Sequence, residues 1–198
     1  MKIIAAYKSS GREEPGRLNT MIWPDSAMIR SGKPLFVRDD TPCRIIPGIA
    51  AAVKSVGKTI RPKFASRYYD EVAPICFILP LNVAREIEKE SDPKACDIVA
   101  DYSIICGDFV PKETLEENID LTLTSSTPSG ETLINETLNF PNWEATLAEA
   151  ISAASRLNTL KTGDILATIA PFSIEARRDT LLRATFGDAA PLIENKIK

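Results

Sequence analysis

The 198-residue sequence contains no histidine. That absence removes the commonest general base, the usual partner of a nucleophilic serine or cysteine, and the commonest metal ligand. Ser–His–Asp and Cys–His catalysis within this chain are therefore excluded. Cysteine is scarce: Cys43, Cys76, Cys96 and Cys106 show no CxxC spacing and mostly have apolar neighbours. They read as reduced, buried thiols of a cytoplasmic protein. Zinc would find only cysteines and carboxylates, at unsuitable spacing. Positive charge is not in excess. The net charge is −3 and no basic block stands out, so no nucleic-acid partner is expected. The opening MKIIAAY is too short an apolar run for a signal peptide, and no run is long enough to span a membrane.

What remains has the composition of a globular chain, 44% hydrophobic and 26% charged. One domain over residues 1–198 is expected, burying roughly 70% of the surface of its unfolded chain. Lys2–Tyr7 reads as a first strand and Lys8–Asn19 as a loop. Ala27–Arg30 and Pro34–Val37 flank Ser31-Gly32 and suggest a hairpin. Ile45–Val56 reads as a strand bent or bulged at Pro47-Gly48, and Pro62–Asp70 as a short helix. Val72–Leu81 is a buried strand, Asn82–Glu90 a polar helix, and Cys96–Cys106 a set of strand segments. Ile119–Ser125 and Glu131–Thr137 alternate around Pro128-Ser129-Gly130, and Leu181–Phe186 with Pro191–Ile197 form a last hairpin. The fold class is α+β, dominated by short strands.

The clearest local signal is Asn142–Thr168. Trp143, Leu147, Ile151, Ala154 and Leu157 recur at steps of three and four, which predicts a helix with one apolar face. Asn142 is placed to cap it, and Glu144 suits its first turn. Gly163 supplies the positive φ of a sharp reversal, and Asp164–Thr168 starts a buried strand.

Several segments, in order, resemble the fumarylacetoacetate hydrolase family: LKTGDILAT at Leu160–Thr168, GDFVPKE at Gly107–Glu113, FASRYYDEV at Phe64–Val72, and PDSAMIRSGKPLFV at Pro24–Val37. The resemblance covers nearly the whole chain. It implies a mixed β-sandwich roll with a few short helices, a homodimer, and a magnesium or manganese ion that polarises a small keto acid for hydrolysis, decarboxylation, hydration or isomerisation. It also implies particular residues, and this sequence departs from each. The Glu-x-Glu pair falls at Ile46 and Gly48, the third carboxylate at Cys76, and the lysine at Ile98. Tyr7-Lys8-Ser9-Ser10-Gly11-Arg12-Glu13 has no histidine where the family has one. Thr168-Ile169-Ala170-Pro171 replaces Thr-Gly-Thr-Pro, so Ala170 lacks a substrate-holding hydroxyl. Apolar side chains at these positions offer a divalent cation nothing against its desolvation cost.

The resemblance therefore implies a divergent member without the metal or catalytic residues. Its vestigial pocket comprises Ile46, Gly48, Cys76, Ile98, Asp101, Thr168 and Ala170, with no metal and no cofactor. The leading expectation is a cytoplasmic, homodimeric pseudoenzyme with a structural, regulatory or small-acid-binding role and a small carboxylic acid as candidate ligand. The alternative is an enzyme of the keto-acid class working through a rebuilt site, with Asp101 as its weak catalytic candidate and Thr168 beside it. Asp101 is read as lying on a buried element. Asp70-Glu71 reads as a surface turn, Arg85–Glu90 as a solvated helix face, and Arg177-Arg178 as surface.

Overall fold

The computed structural model describes residues 1–8, 18–37, 42–82 and 101–198. Its strands are β1 (Lys2–Lys8), β2 (Leu18–Pro24), β3 (Met28–Arg30), β4 (Cys43–Ala52), β5 (Glu71–Pro80), β6 (Ile104–Cys106), β7 (Val110–Pro111), β8 (Ile119–Ser126) and β9 (Thr132–Phe140). Helix α1 (Trp143–Leu157) follows, then β10 (Ile165–Ile169), β11 (Ile174–Ala176), β12 (Thr180–Phe186) and β13 (Ile193–Ile197). The expected helix over Asn82–Glu90 is described only at Asn82, which is helical; residues 83–90 and residues 96–100 of the expected Cys96–Cys106 segments lie outside the described residues. The fold is mixed α+β, with one large mixed sheet and one small antiparallel sheet.

The large sheet runs β2-β1-β10-β4-β5-β6-β3, with β11 attached to β4 and β7 to β5. Its two end strands, β2 and β3, are neighbours in sequence, joined only by the 3-10 turn Asp25–Ala27. Three residues cannot cross a flat sheet of seven strands. The sheet therefore curls until its edges meet, and it has an inside and an outside. This explains why β1, β4 and β5 are apolar runs rather than alternating: both of their faces are buried. Ile3, Ala5, Trp23, Ile46, Ala50, Ala73, Ile75, Phe77, Ile104 and Ala167 form the inner cluster. Ile4, Ile45, Ile49, Cys76, Ile105 and Leu166 face outward into a second cluster shared with α1 and the small sheet. The small sheet, β13-β12-β8-β9, is covered on one face only. Accordingly β8, β12 and β13 alternate buried and open positions.

Two prolines occupy central strands without bending them. β4 pairs with β5 in unbroken register from Cys43↔Pro80 to Ala51↔Val72, so no bulge forms at Pro47-Gly48, contrary to the sequence expectation. The Pro47 carbonyl accepts from the Ala170 amide at 2.9 Å, between the end of β10 and the start of β11. In an extended strand a residue's N–H and C=O point the same way, so the missing N–H faces that gap between strands. Pro74 repeats the device: its carbonyl takes the Gly107 amide at 2.9 Å, between β6 and β7.

The expected hairpin around Ser31-Gly32 does not form. β3 pairs in parallel with β6, and the following residues run along β13, with Leu35 N–H donating to the Lys196 carbonyl at 2.8 Å. Gly32 turns the chain at φ 81°, but each arm finds its partner on a different sheet. The Pro62–Tyr68 stretch is a 3-10 helix. Helix α1 buries Trp143, Leu147, Ile151 and Ala154, but Leu157 is 78% exposed, so the apolar stripe ends a turn early. Leu160 takes the buried place instead, bridged to Gly57. Asn142 does not cap with its side chain. It sits in the left-handed region at φ 52°, and its amide donates to the Asn118 side-chain oxygen at 3.1 Å.

Candidate functional site

The inside of the roll is lined by side chains from β4, β5 and β10. Strand alternation puts Ile46 and Gly48 on this face, together with Ile75 and Phe77, their cross-strand partners on β5. Trp23 from β2 closes the floor, its ring 5.3 Å from that of Phe77 and tilted by 48°. The buried residues packed around them, Ile3, Ala5, Ala50, Ile104 and Cys106, are apolar or nearly so.

Gly48 is the most constrained position. A Cβ built on it would lie 1.8 Å from the Thr168 carbonyl oxygen and 3.4 Å from Ile75. The β4–β10 pairing is closed down over the place where a side chain would start, so only glycine fits. A carboxylate cannot be held there without separating the two strands.

Cys76 lies on the other face. It pairs with Pro47 and packs in the outer cluster, so the structure does not bring it to Ile46 and Gly48. Burial pushes its thiol up to about 12, with Cys106 adding to the rise. Burial likewise raises Cys106 to about 12 and Cys43 to about 11. None is a nucleophilic thiolate near neutrality. Thr168 follows Leu166 on the outer face, and its hydroxyl donates to the Ile49 carbonyl at 3.4 Å. Ala170 is buried just beyond β10, its amide bound to Pro47. Ile98 and Cys96 lie outside the described residues, as do residues 9–13 of the expected histidine stretch.

Asp101 is exposed, not buried as the sequence suggested. The Ser26 hydroxyl donates to its Oδ1 at 2.7 Å, and the Tyr102 amide donates to the Ser26 carbonyl at 3.1 Å. These bonds fasten the segment before β6 to the turn between β2 and β3, where the roll closes. Asp101 and Thr168 are not brought together: one carboxylate is at the rim in solvent, and one hydroxyl is committed to backbone. Among the described residues no group of three or more His, Cys, Asp or Glu could hold a metal ion. Ile46, Gly48 and Cys76 supply no side-chain oxygen, and a hard divalent cation needs several oxygen ligands.

Sequence reasoning missed the side chains that fill this face, Trp23, Ile75 and Phe77. The doubly buried apolar runs of β4 and β5 were the signal for the latter two. It also passed over Asp164, a 3% exposed carboxylate at the start of β10. Asp164 accepts from the Lys2 amide at 3.0 Å, the Lys161 amide at 2.8 Å and the Lys2 ammonium. Burial pushes its pKa up, but these donors and the Lys2 charge outweigh it and hold the carboxyl below its ordinary value. It is a clamp joining the first strand to the reversal at Gly163 (φ 86°), not a reacting group.

No helix among the described residues is long and apolar enough to cross a membrane. No family model matches the sequence, and no curated protein matches it. Solved structures do. A fumarylpyruvate hydrolase from Pseudomonas aeruginosa, in complex with Mn2+ and pyruvate, superposes with a TM-score of 0.75 at 15% identity, over 100% of this chain and 90% of that one. A 5-carboxymethyl-2-hydroxymuconate delta-isomerase from Mycobacterium smegmatis gives 0.75 at 14% identity, over 99% and 76%. A protein from Yersinia pestis CO92 assigned to the fumarylacetoacetate hydrolase family gives 0.79 at 16%, over 100% and 92%. Identities this low speak for architecture alone, and the architecture of this chain is the fumarylacetoacetate hydrolase fold.

Proposed function

We propose that this chain keeps the fumarylacetoacetate hydrolase fold without metal-dependent catalysis, as a pseudoenzyme that works as a cytoplasmic homodimer in a structural or regulatory role. The observation that carries the reading is Gly48, where the Thr168 carbonyl oxygen occupies the place a ligand's Cβ would need. Ile46 beside it offers no oxygen, and Phe77 and Trp23 fill the face where a cation and its substrate would sit. The Mn2+ and pyruvate of the Pseudomonas structure belong to a protein only 15% identical. The free, buried thiols of Cys43, Cys76 and Cys106 suit a reducing compartment.

The competing reading is a rebuilt keto-acid site around Asp101. Purified protein should show no turnover of acylpyruvates or oxaloacetate, with or without manganese. Turnover that disappears in Asp101→Ala would establish the rebuilt site and end the pseudoenzyme reading.

A further inference from the structure

The whole-chain charge of −3 hides a strong local asymmetry. Between Lys54 and Tyr69 there are five cations, Lys54, Lys58, Arg61, Lys63 and Arg67, and no acid. From Glu113 to Ser155 there are eight acids and no Lys or Arg. The fold brings the basic stretch beside part of the acidic one, Glu113–Glu117 and Glu144.

The basic stretch is a rigid strip. Its 3-10 helix is anchored from below by Ala65 and Tyr69, both buried. The Thr59 amide donates to the Ser155 carbonyl at 2.9 Å, and the Ile60 amide to the Ser155 hydroxyl at 2.9 Å. Lys58, Arg61, Lys63 and Arg67 are exposed, and none of them has an acidic partner among the described residues. Phe64, 37% exposed, stands among them. The Lys63 ammonium and the Arg67 guanidinium each lie 4.9 Å from its ring centre, so the two cations are held in place around an apolar face.

The acidic stretch begins where the basic one ends. Lys54 is paired with Asp70 at 2.5 Å. The Lys112 amide donates to the Asp70 carbonyl at 2.9 Å, and its ammonium to the Ser66 and Tyr69 carbonyls at 2.8 and 3.1 Å. Lys112 is thus consumed as the joint. Glu113, Glu116 and Glu117 follow it, all exposed. The Trp143 indole N–H donates to the Glu116 carbonyl at 2.8 Å, which sets this acidic loop beside exposed Glu144 in the first turn of α1.

We infer that this bipolar face, basic along Lys58–Arg67 and acidic along Glu113–Glu117 and Glu144, is a self-association surface whose occupant is a second copy of this chain. A surface carrying opposite charges at its two ends is complementary to itself under a two-fold rotation. The basic end of each copy meets the acidic end of the other, twice over. A polyanion would gain at the strip but be repelled by the adjoining acids, whereas a second copy uses both ends. The inference rests on the homodimer reading above and gives it a location.

Sedimentation velocity on the full chain tests both. Dimerisation should weaken by roughly tenfold or more as salt rises from about 0.1 M to about 1 M, where the screening length falls from about 10 Å to about 3 Å. The variant Arg61→Glu/Lys63→Glu/Arg67→Glu should be monomeric, as should Glu113→Lys/Glu116→Lys/Glu117→Lys. Circular dichroism and thermal melting of each confirm that it folds. Mixed together, the two variants should recover a one-to-one dimer at low salt, because each then presents what the other needs. A wild-type monomer at every concentration overturns the homodimer reading and the surface with it. A wild-type dimer indifferent to salt and to both variants overturns the surface alone. Tight binding of a single-stranded oligonucleotide by the monomer, lost in the Arg61/Lys63/Arg67 variant, would assign the strip to nucleic acid and overturn the proposal.

Discussion

Gly48 and Asp164 mark the two ends of the β4–β10 contact, one by having no side chain and the other by having a charged one. At Gly48 the Thr168 carbonyl oxygen stands 1.8 Å from where a Cβ would be, and backbone cannot give way as a side chain can. Gly48→Ala should therefore cost roughly 2–4 kcal/mol in chemical denaturation, whereas the same change at an open strand position is neutral or stabilising. A neutral or stabilising effect would show that the strands part easily. Asp164→Asn removes the charge that Lys2 and the Lys161 amide surround, and should cost roughly 2–3 kcal/mol. The same carboxylate gives a pH dependence. Its folded pKa lies below the ordinary value, so its contribution is fully present above the unfolded carboxyl pKa and is lost as pH falls through the folded one. Melting temperature should drop with acid below about pH 4, and the drop should be shallower in Asp164→Asn. Equal slopes in the two proteins would show that the clamp is not the sensor.

Helix α1 shows how far periodicity reaches. The spacing of Trp143, Leu147, Ile151 and Ala154 predicts a buried stripe, and that stripe is buried. Periodicity also predicts Leu157, which faces solvent because the chain leaves the helix at Asn158 and returns through Leu160. Leu157→Ser should change stability by about 0.5 kcal/mol or less, and Leu160→Ala should cost about 2–4 kcal/mol. Equal costs would mean that the end of the helix packs otherwise. The strands divide in the same manner. One-sided burial wrote an alternating pattern into β8 and β12, and two-sided burial wrote apolar runs into β4 and β5. Both patterns are legible because they record the surroundings of consecutive residues. β2 and β11 left no such record. β2 is an edge strand whose side chains are nearly all part-exposed, and β11 spans three residues. β3 misled because its partner, β6, lies beyond β5 in the chain, and a nearby turn glycine says nothing about that.

Among the described residues, a curled sheet with an apolar interior is backed by helix α1 and a second sheet. Its resemblance to an enzyme family was legible from motifs that make turns and strand starts, such as Leu160–Thr168, because those motifs serve the fold. That Ile46 and Gly48 carry no side-chain oxygen could be read directly, but the direction of each side chain could not. Cys76 is one residue from Phe77, and that single step places it on the opposite face of the sheet. The central claim, that a scaffold built for a cation has been filled with hydrocarbon, is tested most directly by calorimetric titration of the folded chain with manganese and with magnesium. The account predicts no saturable heat for either ion. One tight site per chain for either of them would contradict it.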